Sequence, residues 1–307
     1  MFRKILISFS IGLTFLTAFA FLTKPAKQQS IVQQITYGRV KTMPIVTDDP
    51  WSYLAYGGVP QEQRGEKYKK WLAAGVKISV SGGSGSGTIV YYSPDGWAYV
   101  QSCGHLWENG TMTVEEGKQR KLTCKVTTWY HNEKKLPEPK TYTAEVIYYS
   151  HVRTKDCSLL RFRPDWEPLY FPIAPEDYVY ETNSRLHSIG CDSGKEIAHY
   201  DIRVIGINQN KDLVTTENSP RPGRSGGGLL TDAYYVGICW GTEFISGEGN
   251  GFFTPLQTVR ELNAANGYDW LNNVSGGLAQ RIPIVDRNNP QQKYPRDYIP
   301  VPGSRKP

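Results

Sequence analysis

From Val76 onward the sequence changes its period, and that change limits the possible folds more than any other feature. Val76–Ser81, Thr88–Tyr92, Trp97–Ser102, Lys121–Tyr130, Thr141–Ser150 and Ser158–Arg163 read as short strands separated by turn signals. Ser93-Pro-Asp-Gly96 has the chemistry of a hairpin connection. A second series follows at Tyr178–Thr182, Ser188–Gly190, Glu196–Gly206, Asp212–Thr216, Gly227–Leu230, Tyr234–Trp240 and Gly251–Thr254. Two runs of about six short strands predict an all-β body of two antiparallel barrels or sandwiches in series. The 30 Gly, 20 Pro and 20 Tyr fit such a turn-rich body better than a helical bundle. Pro255–Asn266 closes the series as a helix, with Leu256, Val259 and Leu262 on one face and Gly267 as its stop.

The flanks read differently. Arg3-Lys4 precede the apolar run Ile5–Leu22, and Ala18-Phe19-Ala20 offers a small-x-small cleavage site. Residues 1–23 are therefore a signal peptide, or an uncleaved membrane anchor through residues 5–22; either exports the body, to the periplasm or beyond. Residues 24–60 are polar and turn-rich, a linker. From Gln61 to Ala74 the spacing of Tyr68, Trp71 and Leu72 predicts a short amphipathic helix leading into the domain, which then spans 61–268. Residues 269–307, rich in Pro, Asn, Gln and Arg without apolar period, predict an extended tail.

Charge argues against nucleic acid. The net +6 divides into +5 over residues 1–40, +4 over residues 281–307 and −3 over the body. Nothing in the body forms a basic stripe. None of the five cysteines (Cys103, Cys124, Cys157, Cys191, Cys239) sits in a CxxC or a Cys/His pair with zinc spacing, so no metal site and no cofactor is expected. The run Gly82-Gly-Ser-Gly-Ser-Gly87 lacks the lysine of a phosphate-cradling loop.

Three stretches carry chemistry together. In Pro222-Gly-Arg-Ser-Gly-Gly-Gly-Leu-Leu230, Ser225 sits among glycines just ahead of an apolar strand. A nucleophilic serine needs such a tight turn, with backbone N–H groups aimed at a developing oxyanion. In Trp97-Ala-Tyr-Val-Gln-Ser-Cys-Gly-His105, a strand runs into a turn that carries His105. In Asp156-Cys-Ser-Leu-Leu160, a carboxylate stands at the edge of a core strand, where it can hold an imidazole.

The chain order His105, Asp156, Ser225, each in this setting, resembles the trypsin/chymotrypsin superfamily of serine proteases, in its bacterial form. Ser84-Gly-Ser-Gly-Thr-Ile-Val90 is similar to the strand ahead of that family's histidine turn. Val236-Gly-Ile-Cys-Trp-Gly241 and Gly251-Phe-Phe-Thr254 are similar to the strands that wall its specificity pocket. The resemblance covers Val76 to Gly267 and implies two six-stranded antiparallel barrels with a C-terminal helix. It implies a peptide- or protein-cleaving enzyme with Ser225 as nucleophile, His105 as base and Asp156 orienting the base. Gly223 and Ser225 N–H groups would form the oxyanion hole. Ser219, Trp240, Gly241 and Gly251 would contact substrate, and Ser219 as a neutral pocket floor favours large apolar residues over Lys or Arg. Three departures follow from the same resemblance. Arg224 replaces the aspartate of the N-terminal activation switch, and is expected as a solvated loop charge or a lining of the substrate groove. Cys239 replaces the serine that supports the aspartate, and is a weaker donor. Cys103 is expected as a small buried hydrophobe. The alternative reading is a catalytically silent module that binds peptides on the same fold.

Overall fold

A computed structural model describes residues 68–274 apart from 154, 209–212, 218, 246 and 247. The signal or anchor segment, the linker, the start of the leading helix and residues 275–307 lie outside the described residues.

The first half forms β1 (Gly75–Val80), β2 (Gly83–Tyr92), β3 (Ala98–Ser102), β4 (Thr111–Met112), β5 (Thr123–His131), β6 (Lys134–Ser150) and β7 (Cys157–Phe162). Their order is β4-β6-β5-β1-β2-β3-β7, and a further β6–β7 ladder closes six of them into a barrel with β4 appended. Alternation drives this closure: Cys124, Val126, Thr128 and Tyr130 of β5 point inward while their neighbours face solvent or the rim. Val76, Ile78, Ile89, Val100, Val146 and Leu160 fill the interior. The second half forms β8 (Arg185–Gly190), β9 (Ala198–Asn208), β10 (Leu213–Thr216), β11 (Gly228–Leu230), β12 (Tyr235–Ile245) and β13 (Glu248–Pro255). These close as β10-β13-β12-β11-β8-β9, every ladder antiparallel. Two six-stranded barrels followed by a helix are what the strand series and the resemblance together predict.

Three local expectations change. Tyr178–Thr182 is not a strand: Tyr178 N–H closes a turn on Pro175, and the Tyr180 hydroxyl binds the Val236 carbonyl and accepts the Leu256 N–H. Side-chain bonding there takes the place of a ladder. A helix absent from the sequence reading, α1 (Val114–Arg120), is started by a capping box of Thr113 and Glu116. Its signal, Thr-x-x-Glu, is present in the sequence. The tail does not begin at Asp269, because Asp269–Asn273 coils into a 3-10 turn whose Leu271 is 1% exposed.

That turn is held by the C-terminal helix α2 (Leu256–Ala265), which buries Leu256 and Val259. Asn263 is its polar anchor and is fully buried. Its side-chain oxygen accepts from Gln101 Nε2 at 2.9 Å and from the Tyr148 hydroxyl at 2.7 Å, while its amide donates to Asn272 at 3.1 Å. The helix is thereby tied to the first barrel and to the 3-10 turn at once. Residues 68–72 are helical, with Tyr68, Trp71 and Leu72 buried, and Trp71 Nε1 donates to the Thr231 carbonyl at 3.3 Å. Among the described residues no helix is long and apolar enough to cross a membrane.

Asn263→Ala should cost about 2–4 kcal/mol, because it strands three buried partners without replacing them. A urea titration should show a lower midpoint at an unchanged slope; a midpoint at the wild-type value would show that the network contributes nothing.

Candidate functional site

The His105 turn follows directly from β3. Ser158 Oγ donates to the Cys103 carbonyl at 2.8 Å, which fixes the start of the turn. Asp156, just ahead of β7, has φ of 35°, a left-handed conformation costly for a residue with a side chain. Three N–H donors offset that cost. Asp156 Oδ1 accepts the backbone N–H groups of Gly104 (3.0 Å) and His105 (2.9 Å), and His105 Nδ1 lies 3.0 Å from both carboxylate oxygens. The carboxylate is 4% exposed and the imidazole 25%. Facing a carboxylate, Nδ1 is the protonated ring nitrogen, which leaves Nε2 as the hydrogen-bond acceptor. Nε2 lies 3.6 Å from Cys103 Sγ.

Ser225 comes from the other barrel, on the loop before β11. Gly223 (φ 89°) and Gly226 (φ 86°) give that loop its turns. At Gly226 a Cβ would stand 2.2 Å from the Ser86 carbonyl oxygen and 2.3 Å from Ser102 Oγ, so only glycine lets the loop seat on β2 and β3. Ser86, fully buried on β2, makes the seat. Its N–H donates to the Ser225 carbonyl at 2.7 Å and its hydroxyl to the Gly223 carbonyl at 2.8 Å. The same hydroxyl accepts the Cys191 N–H at 2.7 Å, and Ser102 Oγ donates to the Ser86 carbonyl at 2.7 Å. Ser225 itself is half-buried. Among the described residues its hydroxyl makes no hydrogen bond to His105, and the N–H groups of Gly223 and Ser225 donate to no protein acceptor.

Two six-stranded antiparallel barrels followed by a helix, with the His–Asp pair on the first and the Ser225 loop from the second, settle the architecture. The fold is trypsin-like. No protein-family model and no curated protein matches the chain. Among solved structures it is similar to the inactive Ser343Ala form of Rv3671c from M. tuberculosis H37Rv (19% identity, 68% of this chain and 94% of that one, TM-score 0.49). It is similar also to the active form of the Rv3671c protease from M. tuberculosis (19%, 76% and 93%, 0.47) and to a serine endoprotease from Yersinia pestis (17%, 70% and 68%, 0.46).

Within this trypsin-like frame Arg224 is the largest correction. It is no solvated charge and lines no groove: its side chain is 0% exposed. Nε donates to Asp192 Oδ1 at 2.8 Å and Nη2 to Oδ2 at 3.2 Å, while Nη1 reaches the Ser188 carbonyl at 3.2 Å. The guanidinium lies 3.7 Å over the Tyr200 ring, and the Tyr200 hydroxyl donates to Asp192. A guanidinium stays charged at any working pH, so once buried it must find a carboxylate. Asp192 is 32 residues upstream, and no local pattern in the sequence points to it. The pair holds the loop from beneath, directly beside Ser225.

All five cysteines are buried free thiols, and two of them also bond: Cys103 Sγ with His105 Nε2, and Cys157 Sγ to Gln101 Oε1 at 3.5 Å. Burial pushes Cys157, Cys191 and Cys239 up to about 12, and burial together with the Asp156 charge raises Cys103 well above the ordinary thiol range. Cys239 donates no hydrogen bond to Asp156; the turn's own N–H groups support the carboxylate, and Thr254 Oγ1 holds the Asp156 carbonyl at 3.3 Å. Thr254 was not singled out from the sequence, where it is one strand threonine among several.

The residues expected to contact substrate gather on the β12–β13 hairpin. Trp240 sits at a bulge of β12 and packs edge-on against Phe252 at 6.0 Å between ring centres. Gly241 pairs with Phe252 and Gly251 with Thr242. A Cβ at Gly241 would meet nothing within 4 Å. Ser219 joins them through a hydroxyl contact with Thr242, whose own hydroxyl donates to the Asn250 carbonyl at 3.1 Å.

Arg224→Met should lower stability by about 2–4 kcal/mol, since it leaves the mostly buried Asp192 carboxylate, 16% exposed, without its cation. Chemical denaturation of the variant against wild type measures this, and a loss below about 1 kcal/mol would mean that Asp192 had reached water.

Proposed function

We propose that the protein is a serine endopeptidase that cleaves protein or peptide substrates through an acyl-enzyme intermediate. The observation that carries this reading is the His105–Asp156 pair, with Nδ1 held on a buried carboxylate and Nε2 left as base, on the barrel rim where the Ser225 loop is seated. In the proposed reaction Ser225 Oγ attacks the scissile carbonyl as His105 Nε2 takes its proton. The C–N bond breaks when the imidazolium returns that proton to the leaving amine, and a water activated by the same nitrogen releases the acyl group. Asp156 holds the tautomer and stabilises the imidazolium. The undirected N–H groups of Gly223 and Ser225 are the proposed oxyanion donors, a role worth about 3–4 kcal/mol per donor. Without substrate such sites commonly show loose contacts that tighten in the complex, which accommodates the missing Ser225–His105 hydrogen bond.

That missing bond is also the observation favouring the second reading, a silent peptide-binding module. A fluorophosphonate probe separates the two. The proposal expects labelling that Ser225→Ala abolishes, with kcat falling about 10⁶-fold in that variant and about 10⁴-fold in Asp156→Asn. Folded protein that takes no Ser225-dependent label would establish the silent module.

The raised thiols give an independent check. Iodoacetamide at pH 8 should leave activity unchanged and modify Cys103 only after unfolding, because a thiol held well above its usual range is neutral there. Loss of activity on native alkylation would point to a cysteine nucleophile. For specificity, the hydroxyl pair of Ser219 and Thr242 supports a neutral pocket and cleavage after large apolar residues. A peptide-library profile dominated by Lys or Arg would reject that choice. Export through residues 1–23 remains part of the proposal, and N-terminal sequencing of the mature protein distinguishes a cleaved signal from an anchor.

A further inference from the structure

Outside the Ser225 site, one group of side chains converges on a point. His199 and Asp201 are two residues apart on β9, and His187 on β8 is the register partner of Asp201, so all three project from one face of the same strand pair. His187 Nδ1 lies 2.9 Å from His199 Nε2 and 3.2 Å from Asp201 Oδ1, and His199 Nε2 lies 3.7 Å from that same oxygen. We propose that His187 Nδ1, His199 Nε2 and Asp201 Oδ1 bind one divalent transition-metal cation of the zinc class.

The geometry can hold a cation in place of the hydrogen-bonded cluster. Ligands at about 2.0–2.1 Å from a tetrahedral zinc stand about 3.3 Å from one another. The three separations here bracket that edge length. Two imidazoles and a carboxylate are a donor set suited to zinc, and three protein ligands leave a fourth position for water. The surroundings are those that orient ligands. His187 turns its other ring nitrogen toward Asp232 Oδ1 at 3.3 Å, and the second Asp201 oxygen accepts the Tyr68 hydroxyl at 2.8 Å. Such outer partners fix tautomer and ring orientation. Tyr68 stacks on His199 at 3.7 Å between ring centres and Trp71 lies tilted against His187 at 4.0 Å, which roofs the group with aromatic surface. His199 is fully buried, whereas His187 and Asp201 are 17% and 22% exposed and leave a path in from solvent.

The position gives the cation a structural role. Ser188 and Tyr200 are each the chain neighbour of a ligand, so they point from the opposite face of the strand pair, where both hold Arg224. A cation on the outer face braces the same two strands that carry the Arg224–Asp192 support, and through Tyr68 it ties residues 68–72 to the second barrel. Linear spacing could not reveal this site, because its ligands meet only by strand pairing.

The test uses the full chain, stripped with EDTA and titrated with cobalt(II) and then with zinc. Expected are visible d–d bands of a low-coordinate cobalt site saturating at one ion per chain, displaced by zinc. A melting temperature about 5–10 °C higher at zinc concentrations a hundredfold above Kd should accompany them. His187→Ala and Asp201→Asn should each weaken binding at least about 100-fold, and Asp232→Asn, which keeps all three ligands, about tenfold. His105→Ala should leave metal binding unchanged, which separates this site from the Cys103, His105 and Asp156 group. If His187→Ala fails to fold by circular dichroism, Asp232→Asn and the wild-type cobalt spectrum still decide. No saturable uptake at micromolar metal, or uptake indifferent to Asp232→Asn and Asp201→Asn, overturns the proposal and leaves a hydrogen-bonded cluster. Uptake abolished by His105→Ala overturns it in favour of the other group.

Discussion

A single serine in a glycine-rich run joins the two halves of this site. His105 and Asp156 belong to the first barrel and Ser225 to the second, so no local preference of either chain segment can bring them together. Ser86 does so with four hydrogen bonds: it grips the carbonyls of Gly223 and Ser225, receives the Cys191 N–H, and is held in turn by Ser102. Ser86, Ser102 and Cys191 are buried, where losing a partner costs the desolvation of the other. The close approach also explains the glycine at 226, since a methyl group there would collide with both Ser86 and Ser102. This contact, with the Thr254–Asp156 and Lys77–Gly194 bonds, fixes one barrel against the other.

The second support works from beneath. The Arg224–Asp192 pair inverts the expected placement of charge, with a cation next to the serine and its carboxylate on the far segment. Both charges belong to the described domain, and their pairing ties the loop to the segment after β8. A buried pair of this kind is weak evidence of net stability compared with an apolar core, but its geometry is exacting. Bidentate contact, the Ser188 carbonyl and the Tyr200 face together restrict the guanidinium to one orientation, and the backbone of Gly223 and Ser225 is carried with it. Behind those same strands the proposed cation site would add stiffness where the loop is anchored.

Much of the architecture was legible. Alternation of apolar and polar residues placed most strands within a few positions, because a half-buried strand must repeat with period two. It failed where side chains replaced ladder bonds, as at Tyr178 and Tyr180, and where burial involved few residues, as at Leu271 in a segment otherwise without apolar period. The α1 helix was missed although its capping box lies in plain order, since seven residues with one buried position carry little periodicity.

The sequence by itself determined the groups on offer: a serine among glycines, a histidine on a strand-end turn and an aspartate at a strand edge, in the order and setting on which the proposed reaction rests. Strand pattern likewise determined the all-β body. Only the tertiary structure decided which groups support them. Asp192 beneath Arg224, Thr254 beside Asp156, Asn263 between Gln101 and Tyr148, and His187 against His199 and Asp201 are separated by 12 to 162 residues or meet across paired strands. Such contacts arise from barrel closure and packing, and the free energy that selects them belongs to burial in the folded chain. No window of the sequence contains it.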